Sequence, residues 1–127
     1  MPPIDHARLI MDHVEAANRE DFDALDQLYH DDFVMDLPQS GERMRGKARI
    51  RELRSNYPTK VHFVTRRVVG GGSTWVWEGT ISYNDGAPMH RVSILEFRDG
   101  RIARETNYFA DSFPAASWRA QYVEKIT

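Results

Sequence analysis

An α+β domain is what this sequence predicts, helices first and an antiparallel sheet after them. Two observations carry that expectation. Apolar residues recur at helical spacing near the start, as Ala7, Ile10, Val14 and Ala17. Beyond Val61, strand-like runs are separated by turn signals at Gly70-Gly71-Gly72-Ser73, Asn84-Asp85-Gly86 and Arg98-Asp99-Gly100.

Taken in order, Asp5 is a suitable N-cap and residues 5–19 read as an amphipathic helix. A second, shorter helix begins near Asp21 and presents Phe22, Leu25, Leu28 and Tyr29 on one side. Phe33 to Leu37 reads as a strand stopped by Pro38, because proline supplies no ladder donor. Gln39 to Arg45 reads as a loop, and 47–56 as a third helix with Ile50, Leu53 and Tyr57 inward and Pro58 beyond its end. Strands follow at Val61–Val69, Thr74–Tyr83, Met89–Phe97 and Arg101–Phe109. Pro114 suits the first turn of a short closing helix carrying Trp118 and Tyr122 at i, i+4. With no repeat and no linker, residues 1–127 are expected to form one domain.

Composition narrows the function. A net charge of −2, from 17 basic and 19 acidic side chains, sets up no global field for nucleic acid or an anionic membrane. The absence of cysteine removes disulfides and thiolate chemistry. No segment approaches the roughly 20 apolar residues of a membrane span, and the N-terminus lacks a signal-peptide apolar core, so a soluble, cytoplasmic protein is expected. The five histidines are scattered without ligand spacing, so no metal is expected, and the glycine run lacks the Gly-Lys-Ser/Thr ending of a phosphate loop. Residues 1–36 hold ten acids and two bases, whereas 43–54 hold six bases and one acid. The basic run reads as a solvated helix face, and the acidic one as a surface that pairs with a basic one, for instance on a second subunit.

Three pieces of sequence carry a family resemblance. They are Tyr29-His30-Asp31-Asp32-Phe33 leading to Asp36 and Pro38, the Gly46-Lys47 start of the third helix, and Leu95-Glu96-Phe97-Arg98-Asp99-Gly100-Arg101-Ile102 with Tyr108-Phe109 downstream. On these the chain resembles the nuclear transport factor 2-like superfamily, and within it the SnoaL-like polyketide cyclases and ketosteroid isomerases. The resemblance implies a cone: a curved, mostly antiparallel sheet covered by three N-terminal helices, with a short C-terminal helix. It implies a homodimer through the outer sheet face, and a pocket for a hydrophobic small molecule without a cofactor. The motifs of two familiar reactions are not intact. Leu37 stands at the isomerase base position, with Asp36 one residue earlier; His13 stands at the tyrosine position and Ser93 at the strand aspartate. Asn107 stands where limonene-epoxide hydrolases carry an aspartate, and a neutral amide cannot act as an acid.

Alternation sorts the remaining candidates. Glu105, Asn107 and Phe109 share one strand face; Arg91, Ser93, Leu95 and Phe97 share another. With these inward the pocket holds Arg91, Ser93, Glu105 and Asn107, with an Arg91–Glu105 ion pair. The opposite phase puts Val92, Ile94, Thr106 and Tyr108 inside. His13, beside the apolar stripe of the first helix, is either a core-edge histidine or a pocket acid/base. Asp36 is the second candidate base, although alternation sets it opposite Leu37. Trp75, Trp77 and Tyr83 share a face, so Trp77 is a candidate ligand wall or a core residue. The expectation is a cofactor-free isomerase, cyclase or hydratase acting on a hydrophobic carbonyl compound. In it His13 or Asp36 is the base, and Arg91, Ser93 and Asn107 hold the developing oxyanion. The competing expectation is a non-catalytic ligand-binding or dimerising domain of the same fold.

Overall fold

The computed structural model describes residues 3–126; Met1, Pro2 and Thr127, the ends of the expected 1–127 domain, lie outside the described residues. The order is α1 (His6–Arg19), α2 (Phe22–Leu28), β1 (Tyr29–Leu37), β2 (Glu42–Arg45), α3 (Lys47–Ser55), β3 (Val61–Gly71), β4 (Thr74–Tyr83), β5 (Met89–Arg98) and β6 (Arg101–Ala110), then a 3₁₀ helix at Ser117–Tyr122. The strands form one sheet in the order β2-β1-β6-β5-β4-β3. Only β1 and β6 run parallel; every other neighbour is antiparallel.

Local chemistry explains the boundaries. Asp5 and Asp21 cap α1 and α2 by accepting from Arg8 N and Ala24 N, satisfying amides that have no helical partner. The β5–β6 hairpin turns at Asp99 and Gly100, both with positive φ, the geometry that matches strand twist in a two-residue turn. Bulges in β1, β3 and β6 against their partners bend the sheet. At the bend, Gly79 lies opposite Thr65 with the Trp77 ring folded over it. A Cβ there would stand 2.1 Å from Val64 O and 2.6 Å from the indole, so only glycine fits.

The helices cover the concave side of the sheet. Ile10 and Val14 of α1, Leu25 of α2 and Ile50 of α3 pack with Tyr29, Phe33, Leu95 and Ile102 in one core. Tyr29 stacks on Phe33 at 4.2 Å between ring centres.

One expectation is corrected and two are made more definite. The Gln39–Arg45 segment contains a strand, β2, paired with β1 from Val34↔Arg45 to Leu37↔Glu42. Its sequence, Glu-Arg-Met-Arg, lacks apolar alternation because all of this edge strand but the partly buried Met44 is exposed. The acidic N-terminal region finds its basic partner within the same chain: Lys47 meets Asp31, Arg51 meets Asp23 and Asp26, and Arg43 meets Asp36. The closing helix is a six-residue 3₁₀ segment, and Trp118 and Tyr122 are 72% and 75% exposed. It is too short to hold itself as an α-helix and has no apolar surface of the domain beneath it.

Candidate functional site

Two side-chain amides set the walls of the cavity inside the sheet. Asn18 of α1 donates to Phe63 O at 2.9 Å and accepts from Phe63 N at 2.8 Å, closing the free edge of β3. Gln39, in the β1–β2 turn, makes the same pair of hydrogen bonds with the backbone of Phe109 on β6. The guanidinium of Arg91, on β5, lies against both rings so fixed, 4.9 Å from Phe63 and 5.2 Å from Phe109.

Beneath Arg91 lies a buried polar network. Arg91 Nη2 donates to Glu105 Oε2 at 3.4 Å, and Arg91 Nε to Ser93 Oγ at 3.1 Å. Ser93 donates to Asn107 Oδ1 at 2.6 Å, and Asn107 Nδ2 returns to Glu105 Oε2 at 2.9 Å. Three of the links follow from inward residues two apart on β5 and β6, with Ser93 directly opposite Asn107, and the long Arg91 side chain reaches diagonally to Glu105. The other carboxylate oxygen, Glu105 Oε1, is buried without a hydrogen-bond partner and lies 3.8 Å from His13 Nε2. His13 Nε2 is hydrogen-bonded to the Tyr29 hydroxyl at 2.8 Å, and Arg54 Nη2 donates to that hydroxyl at 3.0 Å.

Burial sets the charge states. It lowers His13 to about 4, against the opposing pull of Glu105 and with the help of Arg54 and Arg91, so His13 is neutral at pH 7. Burial also pushes Tyr29 up to about 12, keeping the phenol protonated. Burial alone would raise Glu105, but the cations around it (His13 when protonated, Arg91 and Arg54) and the Asn107 bond outweigh it, holding the carboxyl below its usual range. Glu105 is therefore an ionised carboxylate with one oxygen unsatisfied.

Two adjoining spaces meet this network. The inner one, about 20 Å³, is bounded by His13, Trp77, Arg91, Ser93 and Glu105. The outer one, about 670 Å³, has Phe22, Met35, Leu37, Met44 and Phe109 among its apolar lining. Ala17, Phe63 and Arg91 border both. The strand phase is thus the one with Arg91, Ser93, Glu105 and Asn107 inside. Trp77, Arg91, Ser93 and Glu105 border the inner space, and Arg91, Asn107 and Phe109 the outer one. Trp77 also donates its indole N–H to Thr65 Oγ1. Asp36 borders neither space. It points away from the concave face, gripped by Arg43 at 2.6 Å and 3.1 Å and approached by Arg104 at 3.6 Å, as strict alternation with Leu37 requires. No bulge at Pro38 rotates it inward, because the β1–β2 register runs unbroken through Asp36↔Arg43.

Two members of the network were not legible beforehand. Tyr29 reads as an apolar helix-face residue, and Arg54 as one of six bases on a solvated face. Both readings miss that the end of α3 lies over the start of β1, bringing Arg54 to the tyrosine hydroxyl. Among the described residues, no group of three or more His, Asp or Glu side chains is placed to hold a metal. No helix of the described residues is long and apolar enough to cross a membrane.

Comparison with known proteins locates this architecture. None of the curated proteins matches the chain. An NTF-2 like protein of unknown function from Burkholderia xenovorans is 43% identical, covering 95% of this chain and 94% of its own, with a TM-score of 0.88. A putative ketosteroid isomerase from Kribbella flavida is 22% identical over 94% of this chain and 88% of its own, with a TM-score of 0.84; at that identity the likeness is one of fold. An LEH-like epoxide hydrolase of M. tuberculosis is 26% identical over 80% of each chain, with a TM-score of 0.71. The family model of the SnoaL-like domain matches residues 10–105, and the chain belongs to that family.

Proposed function

We propose that this chain is a cofactor-free enzyme that adds water to a hydrophobic carbonyl compound with a conjugated double bond. One observation carries the reading: a space with room for a single water is bounded by Glu105 and His13, and adjoins a larger cavity with an extensive apolar wall. The water oxygen bonds to the β-carbon while the alkene electron pair moves through the carbonyl carbon onto its oxygen. The Glu105–His13 pair accepts the water's proton and returns it to the α-carbon; the two titrate as a unit. A base of pKa about 4 is compatible with such chemistry when the developing oxyanion is held by cations. Arg91, which borders both spaces, is placed for that. Ser93 and Asn107 support it indirectly, because their donors are engaged within the network and fix Glu105.

The test is to incubate the protein with aryl enones in ¹⁸O-labelled water and follow label uptake by mass spectrometry. Labelled hydrate is expected. Glu105→Gln and His13→Gln should each lower turnover by roughly 10²-fold or more if the pair does general base work. Unchanged turnover in both variants would remove the pair from the mechanism.

A second reading, a binding protein that releases its ligand unchanged, is favoured by the removal of Asp36 from the cavity. Ligand-induced thermal stabilisation without label uptake would establish it. The outer sheet face exposes Val64, Val69 and Tyr108, which supports a homodimer through that face. Light scattering that reports a monomer at micromolar concentration would count against the dimer.

A further inference from the structure

We infer that the large cavity takes a ligand whose apolar body carries one anionic oxygen group, a carboxylate or an ionised enol, received by Arg54 and assisted by Thr59. The inference rests on the pocket reading above and names the charge of the compound that fills it. Charge balance is the first observation. The ionisable groups around the network are Arg54, which is partly buried, and the buried Arg91, Glu105, His13 and Tyr29. His13 and Tyr29 are neutral at pH 7, and an arginine stays charged. Two cations therefore face one carboxylate. Glu105 is bonded to Arg91, whereas the hydrogen bond that Arg54 makes is to the neutral phenol of Tyr29. Removing a charge from water without a paired opposite charge is expensive, and a ligand anion would supply the missing one.

Orphaned polar atoms are the second observation. Among the described residues, the buried side-chain polar atoms without a hydrogen-bond partner are Arg54 Nε, Thr59 Oγ1 and Glu105 Oε1. Arg54 and Thr59 both line the 670 Å³ cavity, and Glu105 lines the inner space. A carboxylate accepts from both Arg54 and a hydroxyl, which a neutral carbonyl with no charge does less well. The other charged residues on the lining do not alter the balance. Glu20, Glu42 and Arg43 are exposed at the rim, where water and salt screen them, and Arg43 is held by Asp36. Arg91 also borders the cavity, but it is already bonded to Glu105, which leaves Arg54 as the cation without a carboxylate partner.

The experiment compares aromatic acids with their amides, which match in shape and differ in charge: 2-naphthoate, 4-biphenylcarboxylate and cinnamate, each against its amide, by calorimetry at pH 7. 2-Hydroxy-1,4-naphthoquinone, ionised at that pH, serves as the enol arm. An anion of either kind is expected to bind at least about tenfold tighter than the neutral partner, the worth of one charge-assisted hydrogen bond. Which arm binds tighter assigns the group. Arg54→Gln should erase the preference, Arg54→Lys should retain most of it, and Thr59→Val should reduce it. Should Arg54→Gln fail to fold, ¹⁵N spectra of the arginine side chains carry the test in the wild-type protein. One Nε–H resonance, missing from Arg54→Lys, should move with the acid and not with the amide. Equal affinity for acid and amide across the panel, or a preference that survives Arg54→Gln, would overturn the anion site. Neither result touches the water-addition reading, which stands or falls on ¹⁸O uptake.

Discussion

Lowering the pH should destabilise this protein through His13 before the carboxylates held below their usual range are protonated. The folded state holds His13 at about 4, against 6.5 for an exposed histidine. Between those values the unfolded chain binds a proton that the folded one refuses, so stability falls as pH falls. The contribution is complete above pH 6.5 and exhausted near pH 4. Worked from these two pKa values, the loss between pH 7 and pH 5 is about 2 kcal/mol. Glu105, Asp31 and Asp36 are held below their usual values, so their stabilisation is lost only under more acid conditions. The window from pH 7 to 5 is therefore where His13 can be read alone among the shifted groups. Urea unfolding at half-unit pH steps measures the slope, and the His13 ring resonances should show no titration above pH 5. His13→Gln should flatten the slope in that window. A slope that survives in the variant, or a His13 resonance titrating near 6.5, would refute the burial argument and with it the assignment of a neutral imidazole beside Glu105.

Further outcomes follow from the same geometry. Tyr29→Phe removes the hydroxyl between His13 and Arg54 and leaves two buried groups short of a partner. Urea unfolding should show a loss of about 2–6 kcal/mol, at about 1–3 for each stranded group. Asp36→Asn should leave turnover or ligand affinity unchanged, because Asp36 borders neither space; a large loss in a kinetic or binding assay would return it to the site. Gly79→Ala drives a methyl into Val64 O and the Trp77 ring, and should cost about 1–3 kcal/mol or more by thermal unfolding.

The fold was largely legible because it is written in local signals. Capping aspartates, helical and strand periods and Asp-Gly or Asn-Asp-Gly turns act over a few residues, and each ended up near its expected place. The edge strand β2 was hidden because three of its four residues are exposed and polar. The C-terminal segment misled in the opposite way: Trp118 and Tyr122 at i, i+4 suggest a packed helix, yet the domain offers that segment nothing to pack on.

The site divides along the same line. By itself the sequence determined that Arg91, Ser93, Glu105 and Asn107 share faces of adjacent strands, since a period of two leaves two choices of phase. Only the tertiary structure decided which phase turns inward, because that depends on where the helices lie. It also turned Asp36 outward, set Glu105 with a bare oxygen beside His13, and brought Tyr29 and Arg54 together across 25 residues of chain. Those contacts arise where the middle of α1 and the ends of α2 and α3 meet one curved sheet. No periodicity within a single segment encodes such a meeting; the packing of the segments against one another does.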